Sequence, residues 1–339
     1  MAPDGGLYIP VSIPSLPENW ESEWKDYSFQ QLAFAILSLY ISPEEIPPAG
    51  LKALIEKSYS TFRNAIITPL RILSPQLHVL ELFHGPTYAF KDVALQFLGN
   101  LFELFLSRRN ACLPPNAEPE TITIVGATSG DTGSAAIYGL RSKPNISIFI
   151  LHPRGSVSPL QEAQMTTVPD ANVHNLAVHG TFDDCQDIVK QLFNDPSFRT
   201  KYRLGAVNSI NWARILAQIV YYFSAYFQAH RAGVTSELQF VVPTGNFGDV
   251  LAGWYAKQMG LQMSKLGIAT NANDILARFW KKDEFSKGEA GVLETHSPAM
   301  DIVVSSNFER LLWYLAYDSL EGKEERRGWC TCQGMDGPS

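Results

Sequence analysis

Only four cysteines stand among the 339 residues, and they do not form the pattern of a disulfide framework. Cys112 and Cys185 are isolated, while Cys330 and Cys332 lie close together with no second Cys or His pair to complete a zinc set. The seven histidines are scattered and form no H-E-x-x-H pair, so the sequence offers no metal site. Long basic runs are also missing: 27 Lys and Arg stand against 34 Asp and Glu, a formal net charge of −7. That leaves nucleic acid without an electrostatic footprint. No apolar stretch reaches the roughly 18–20 residues of a membrane span. The best, residues 215–227, is broken by Gln218 and Ser224. The opening MAPDGGLYIP lacks the basic and apolar regions of a cleaved signal peptide. A cytoplasmic location is the expectation, with unconventional secretion left open.

What is present is the balance of a globular protein, 45% hydrophobic and 18% charged. Its 339 residues suffice for a large core and two domains of about 100–200 residues each. Residues 27–37 carry apolar side chains at helical spacing, Pro43 and the pair Pro47-Pro48 mark breaks, and a second helix is expected over 51–65. From Leu77 the period changes. Strands are expected at 78–83, 121–125, 146–151 and 238–242, and helices at 89–106, 134–141, 182–193, 212–230 and 305–317. This alternation predicts an α/β fold with parallel sheets flanked by helices. The expected division is a helical segment over 1–80, a domain over 81–210, a second over 211–320, and a tail over 321–339. After its charge run the tail loses all periodicity, and disorder is expected there.

Two segments repeat the order strand, glycine-rich loop, helix: TITIVGATSGDTGSAA at 121–136 and QFVVPTGNFGDVLAG at 239–253. Such a turn gathers backbone N–H groups at a helix N-terminus, where an anion is favoured. One loop reads equally well as an ordinary tight turn; two in the same context shift the balance toward anion binding. Neither matches G-x-G-x-x-G or G-x-x-x-x-G-K-[ST], so dinucleotide and nucleotide readings lose their specific support.

Lys91 lies in FHGPTYAFKD at 83–92. Thr87 is read as an N-cap, which places Lys91 in the first turns of a helix beside apolar Ala94 and Leu95. A helix N-terminus disfavours a cation by about 0.3–1 kcal/mol, and apolar surroundings penalise it further. Both favour the neutral amine, the form that attacks carbonyls. Taken locally, a lysine reaching to solvent is the commoner reading. The segment AVNSINWARI at 206–215 also reads two ways. Asn208, Ser209 and Asn211 are good caps for the helix that follows, or they and Arg214 are donors for an anionic group.

In these strings the chain resembles the threonine synthase family of pyridoxal-phosphate (PLP) enzymes. The resemblance rests on FHGPTYAFKD, on ATSGDTG at 127–133, on NSINWAR at 208–214, on PTGNFGD at 243–249 and on APDGGLY at 2–8, all in family order. Within the family the chain looks most like the vertebrate threonine synthase-like 2 group. The resemblance implies PLP fold type II, with Lys91 attached to the cofactor and Gly245, Asn246, Phe247, Gly248 and Asp249 around its phosphate. It further implies that Thr128, Ser129, Asp131 and Thr132 line the substrate side, and that Asn208, Ser209, Asn211 and Arg214 hold the phosphate of a small phosphorylated amino acid. A homo-oligomer stays open beside a monomer.

The activity expected on this basis is a phospho-lyase, releasing 2-oxobutanoate, ammonia and phosphate from O-phosphothreonine or O-phosphohomoserine. A threonine synthase is the alternative, and no residue quoted separates the two on physical grounds. By the same resemblance the chain is expected to start late and to lack the family's C-terminal part, where a hydroxyl residue meets the cofactor ring nitrogen. That suggests a third reading, an alternatively spliced, catalytically inactive product with a regulatory or secreted signalling role.

Overall fold

A computed structural model describes residues 6–286 and 291–319, so the expected disordered tail lies outside the described residues. The chain divides into two compact units. The larger takes 16–208 and 216–236; the smaller takes 6–15, 209–215 and the described residues from 237 onward.

The larger unit opens with three helices, α1 (Trp20–Trp24), α2 (Phe29–Leu37) and α3 (Pro48–Tyr59). A reciprocal capping box between Ser28 and Gln31 starts α2, which buries Phe29, Leu32, Ala33, Ile36 and Leu37 along one stripe. Pro48 opens α3 at a position where its missing N–H costs nothing. This helix stops at Tyr59 rather than at the expected 65. The Ser60 hydroxyl bonds back to Lys57 O, and the Arg63 N–H is drawn to His84 O at 2.9 Å. Next come β1 (Leu70–Ser74) and β2 (Leu77–Leu80), an antiparallel ribbon. The expected strand 78–83 ends early because its next partner would be Pro69. That residue accepts from Glu81 N–H but has no N–H to return.

After α4 (Asp92–Ala111) the chain alternates: β3 (Ile122–Ala127), α5 (Asp131–Leu140), β4 (Ile146–Pro153), α6 (Pro159–Thr166), β5 (Val173–Val178), α7 (Phe182–Asn194), α8 (Pro196–Tyr202) and β6 (Leu204–Gly205). The strands form a four-stranded parallel sheet in the order β5-β4-β3-β6. Helices α4 and α5 touch backbone to backbone. A Cβ on Gly99 would sit 1.9 Å from Gly139 O, and one on Gly139 would sit 2.5 Å from Leu95 O.

Helix α9 (Trp212–Arg231) holds the apolar run noted in the sequence. From Leu216 onward it belongs to the larger unit, where Phe223 and Phe227 pack edge-on against Trp20. Gln228 accepts from Leu70 N–H and donates to Thr68 O, both at 2.9 Å. The run is therefore a core helix, and among the described residues no helix is long and apolar enough to cross a membrane.

In the smaller unit β7 (Phe240–Pro243) and β8 (Leu266–Ala269) pair in parallel, joined through α10 (Gly248–Met259). Helices α11 (Ile275–Lys282) and α12 (Phe308–Ser319) follow. Phe308 is fully buried, and its ring meets Phe247, Phe279 and Trp280 at 4.9–5.3 Å. The last helix starts at Phe308 and not at 305, because residues 305–307 bond to another loop. The expected parallel α/β architecture is present in both units.

Candidate functional site

Lys91 sits at the end of a turn held from several sides. The guanidinium of Arg63 donates to the carbonyls of Gly85 and Pro86 and lies 4.1 Å from the Tyr88 ring centre. Gln164 donates to Thr87 O at 3.2 Å. Asp92 is fully buried, and its carboxylate accepts the Thr87 N–H and hydroxyl, each at 2.8 Å. Only glycine fits at 85, since a Cβ there would come within 2.4 Å of the Asp92 side chain. Burial pushes the Asp92 carboxyl up to about 6, against the opposing pull of its bonds from Thr87.

These contacts correct the expected capping. Thr87 donates to Asp92 instead of capping the helix, α4 begins at Asp92, and Lys91 itself occupies the cap position. Lys91 is buried, but its amine faces the carboxylate of Asp131 and not a purely apolar setting. Lys91 is 8% exposed, and the N–H groups of buried Ala94 and Leu95 bond to its carbonyl.

A cation at this position needs compensation, and Asp131 provides it. The Lys91 ammonium donates to both carboxylate oxygens of Asp131, at 2.7 and 2.8 Å. Asp131 is the first residue of α5, where a helix N-terminus favours a negative charge. The loop before it is shaped by buried Thr128. Its hydroxyl accepts from Gly130 N–H at 3.1 Å and Gly133 N–H at 3.0 Å, and pairs with Gly130 O. Ser129 is exposed and Thr132 half-buried. Neither side chain bonds to a described residue.

The second glycine-rich loop lies in the smaller unit, between β7 and α10. Phe247 takes a left-handed φ of 66° at the cap of α10 and anchors its buried ring on Phe308. Gly245 is enclosed, since a Cβ there would meet Ile302, Ala299 O and Met300 within 3.0–3.2 Å. The carbonyls of Gly245 and Asn246 are both turned to residues 305–307. Ser305 Oγ donates to Gly245 O at 2.6 Å, and Asn307 donates to Asn246 O through its backbone (3.1 Å) and its side chain (3.0 Å). The N–H groups of Gly245, Asn246, Phe247 and Gly248 have no partner among the described residues. A glycine-lined turn with open N–H groups at a helix N-terminus fits a phosphate such as that of PLP.

The segment 208–214 shows its capping reading at one residue. Asn211 Oδ1 accepts Ala213 N–H at 3.0 Å and so starts α9, as a cap would. Asn208 is exposed, Ser209 and Asn211 are half-buried, and Arg214 is buried. Asn307 Nδ2 also reaches Ser209 O at 3.1 Å, so one side chain joins this segment to the second loop. Asn307 and its neighbour Arg310 carry no special signal in sequence, because in order they are just the start of an amphipathic helix.

Comparison with known proteins agrees with this arrangement. A family model described as threonine synthase N terminus matches residues 1–59, and one described as pyridoxal-phosphate dependent enzyme matches 63–325. The threonine synthase of Schizosaccharomyces pombe is 60% identical over 93% of this chain and 63% of its own length. The crystal structure of the yeast threonine synthase superposes with a TM-score of 0.90 at 58% identity, covering 97% of this chain and 64% of that one. The PLP-bound threonine synthase from Brucella melitensis gives 0.85 at 44%, covering 96% and 67%. The chain thus spans under two thirds of the length of the fungal relatives. Threonine synthase-like 2 proteins of Xenopus laevis and rat are 42% and 40% identical, which corrects the expected nearness to that group. With the family models, the sheets and the loops in agreement, the chain belongs to the threonine synthase family of PLP-dependent enzymes and has its fold.

Proposed function

We propose that this chain acts as a PLP-dependent threonine synthase, converting O-phosphohomoserine and water into threonine and phosphate. The observation that carries the reading is the buried Lys91, held at the edge of an apolar helix by Asp131 at 2.7 Å. Identity of 60% to fungal threonine synthases, against 40–42% to the synthase-like 2 proteins, favours this product over the phospho-lyase expected from sequence.

Bound PLP supplies a sink for the electron pair left when the substrate Cα loses its proton. Lys91 provides the amine that anchors the cofactor. The same amine, when free, would serve as the general base for the Cα proton. Asp131 receives the ammonium that results, at the distance it already keeps. Release of a γ-phosphate needs a further proton taken from Cβ; Cγ must then gain a proton to become the methyl group before water adds its hydroxyl at Cβ and a proton returns to Cα. The N–H groups of 245–248 would hold the cofactor phosphate, with Asp249 in the first turn of α10 completing the loop. Ser129 and Thr132 have hydroxyls available to substrate, whereas Thr128 spends its hydroxyl on the shape of its own loop. Arg214, with Asn208, Ser209 and Asn211, would receive the substrate phosphate.

The test is a product assay with PLP and O-phosphohomoserine. Threonine and phosphate in equal amounts support the proposal. Phosphate with 2-oxobutanoate would return the phospho-lyase reading, and no phosphate at all would defeat both.

A further inference from the structure

The carbonyls of the 245–246 loop do not reach their common direction unaided. Arg310 is 2% exposed and Asn307 is fully buried. Neither side chain lies in a motif the proposed function uses. The Arg310 guanidinium donates to Tyr8 O at 2.9 Å, to Ile210 O at 2.8 Å and to the side-chain oxygen of Asn307. With its oxygen fixed, the amide of Asn307 must point its Nδ2 at Ser209 O and Asn246 O. In a planar trans peptide the C=O of one residue is opposite the N–H of the next. Turning the carbonyls of Gly245 and Asn246 toward 305–307 therefore turns the N–H groups of Asn246 and Phe247 the other way, where they stay open.

We infer that Asn307 and Arg310 are positioning residues that set the donor face of the 245–249 loop and lock it to the 209–211 turn. This rests on the proposed role of the loop in holding the cofactor phosphate. The clamp ties the cofactor-phosphate loop to the segment assigned to the substrate phosphate, so loosening it weakens both. Arg310 here acts as a buried fork for carbonyls, and among the described residues its guanidinium bonds to no carboxylate.

The experiment titrates PLP into the full chain and follows visible absorbance, with KM and kcat measured alongside. Asn307→Ala removes the side-chain bridge but keeps the backbone bond to Asn246. Arg310→Lys keeps the charge but replaces three nitrogens of a planar fork by one, which cannot span the three separated acceptors. Asn100→Ala deletes buried bonds to Ser58 and Gln96 O in the other unit and is the control for general loss of stability. The expected result is a rise of about tenfold or more in the PLP Kd for Asn307→Ala and Arg310→Lys. KM should rise with it and kcat change less, while the control stays within about twofold.

An unchanged Kd in folded Asn307→Ala overturns the inference, as does equal weakening by the control. If Asn307→Ala does not fold, Arg310→Lys decides alone. If the wild-type chain binds no PLP, the proposed function has failed. The clamp is then read from inorganic phosphate by 31P NMR. Broadening in wild type that is lost in Asn307→Ala sustains it; no difference, or no phosphate binding, overturns it.

Discussion

Asp92 adjoins the proposed catalytic lysine and gives the account a test whose sign is fixed in advance. Its carboxyl is raised from 3.8 to about 6 because it is buried, although it accepts two bonds from Thr87. An acid whose folded-state value is raised stabilises the fold fully below its unfolded value and loses that contribution as pH rises through the folded one. At about 1.36 kcal/mol per pH unit, the rise amounts to about 3 kcal/mol. About 2 kcal/mol of that is lost between pH 4.5 and 7.5, the rest at lower pH. Asp92→Asn removes the titration. Its amide oxygen can still accept the Thr87 N–H and its NH2 can donate to the Thr87 hydroxyl, so any remaining cost of the substitution does not change with pH. The assay is urea unfolding of both proteins across that range, followed by tryptophan fluorescence, to which Trp20 and Trp24 contribute from the same unit. The stability lead of wild type over Asp92→Asn should shrink by about 2 kcal/mol as pH rises. A lead that grows would mean that the Thr87 bonds outweigh burial, and the description of this turn would be wrong.

Two further substitutions probe the larger unit. Asp131→Asn leaves Lys91 one neutral acceptor in place of a carboxylate. PLP should then attach faster at neutral pH, because the ammonium is less favoured, while turnover falls about tenfold with loss of a charge-assisted bond. A stopped-flow trace and a product assay check the two halves. Gly99→Ala would place a methyl 1.9 Å from Gly139 O, so α4 and α5 must separate. A loss of about 3 kcal/mol or more is expected, and a melt within two degrees of wild type would contradict that crossing.

The features legible in sequence were the local ones. Ala94 and Leu95 only hinted at a buried Lys91, whose local sequence reads more readily as solvent-facing, whereas both strand–loop–helix units follow from period and glycine. β1, β5, β6 and β8 escaped notice. In β5, VHNLAV, only a weak alternation shows, and Leu176 remains 47% exposed, so its pairing with β4 is a matter of topology and not of local pattern. The partner of Lys91 was quoted for another role, since Asp131 lies 40 residues away and nothing local points one side chain at the other. Asn307 and Arg310 were hidden for the same reason, as the carbonyls they bind belong to segments about 60 to 300 residues earlier.

The central claim is that Lys91 is the residue that joins PLP to this chain. The direct measurement is the visible absorption spectrum of the purified chain with PLP, beside that of Lys91→Ala. The account predicts a band above the absorbance of free PLP in wild type, absent from a folded Lys91→Ala and perturbed by O-phosphohomoserine. The same band in both proteins, or none in a folded wild type, would contradict it.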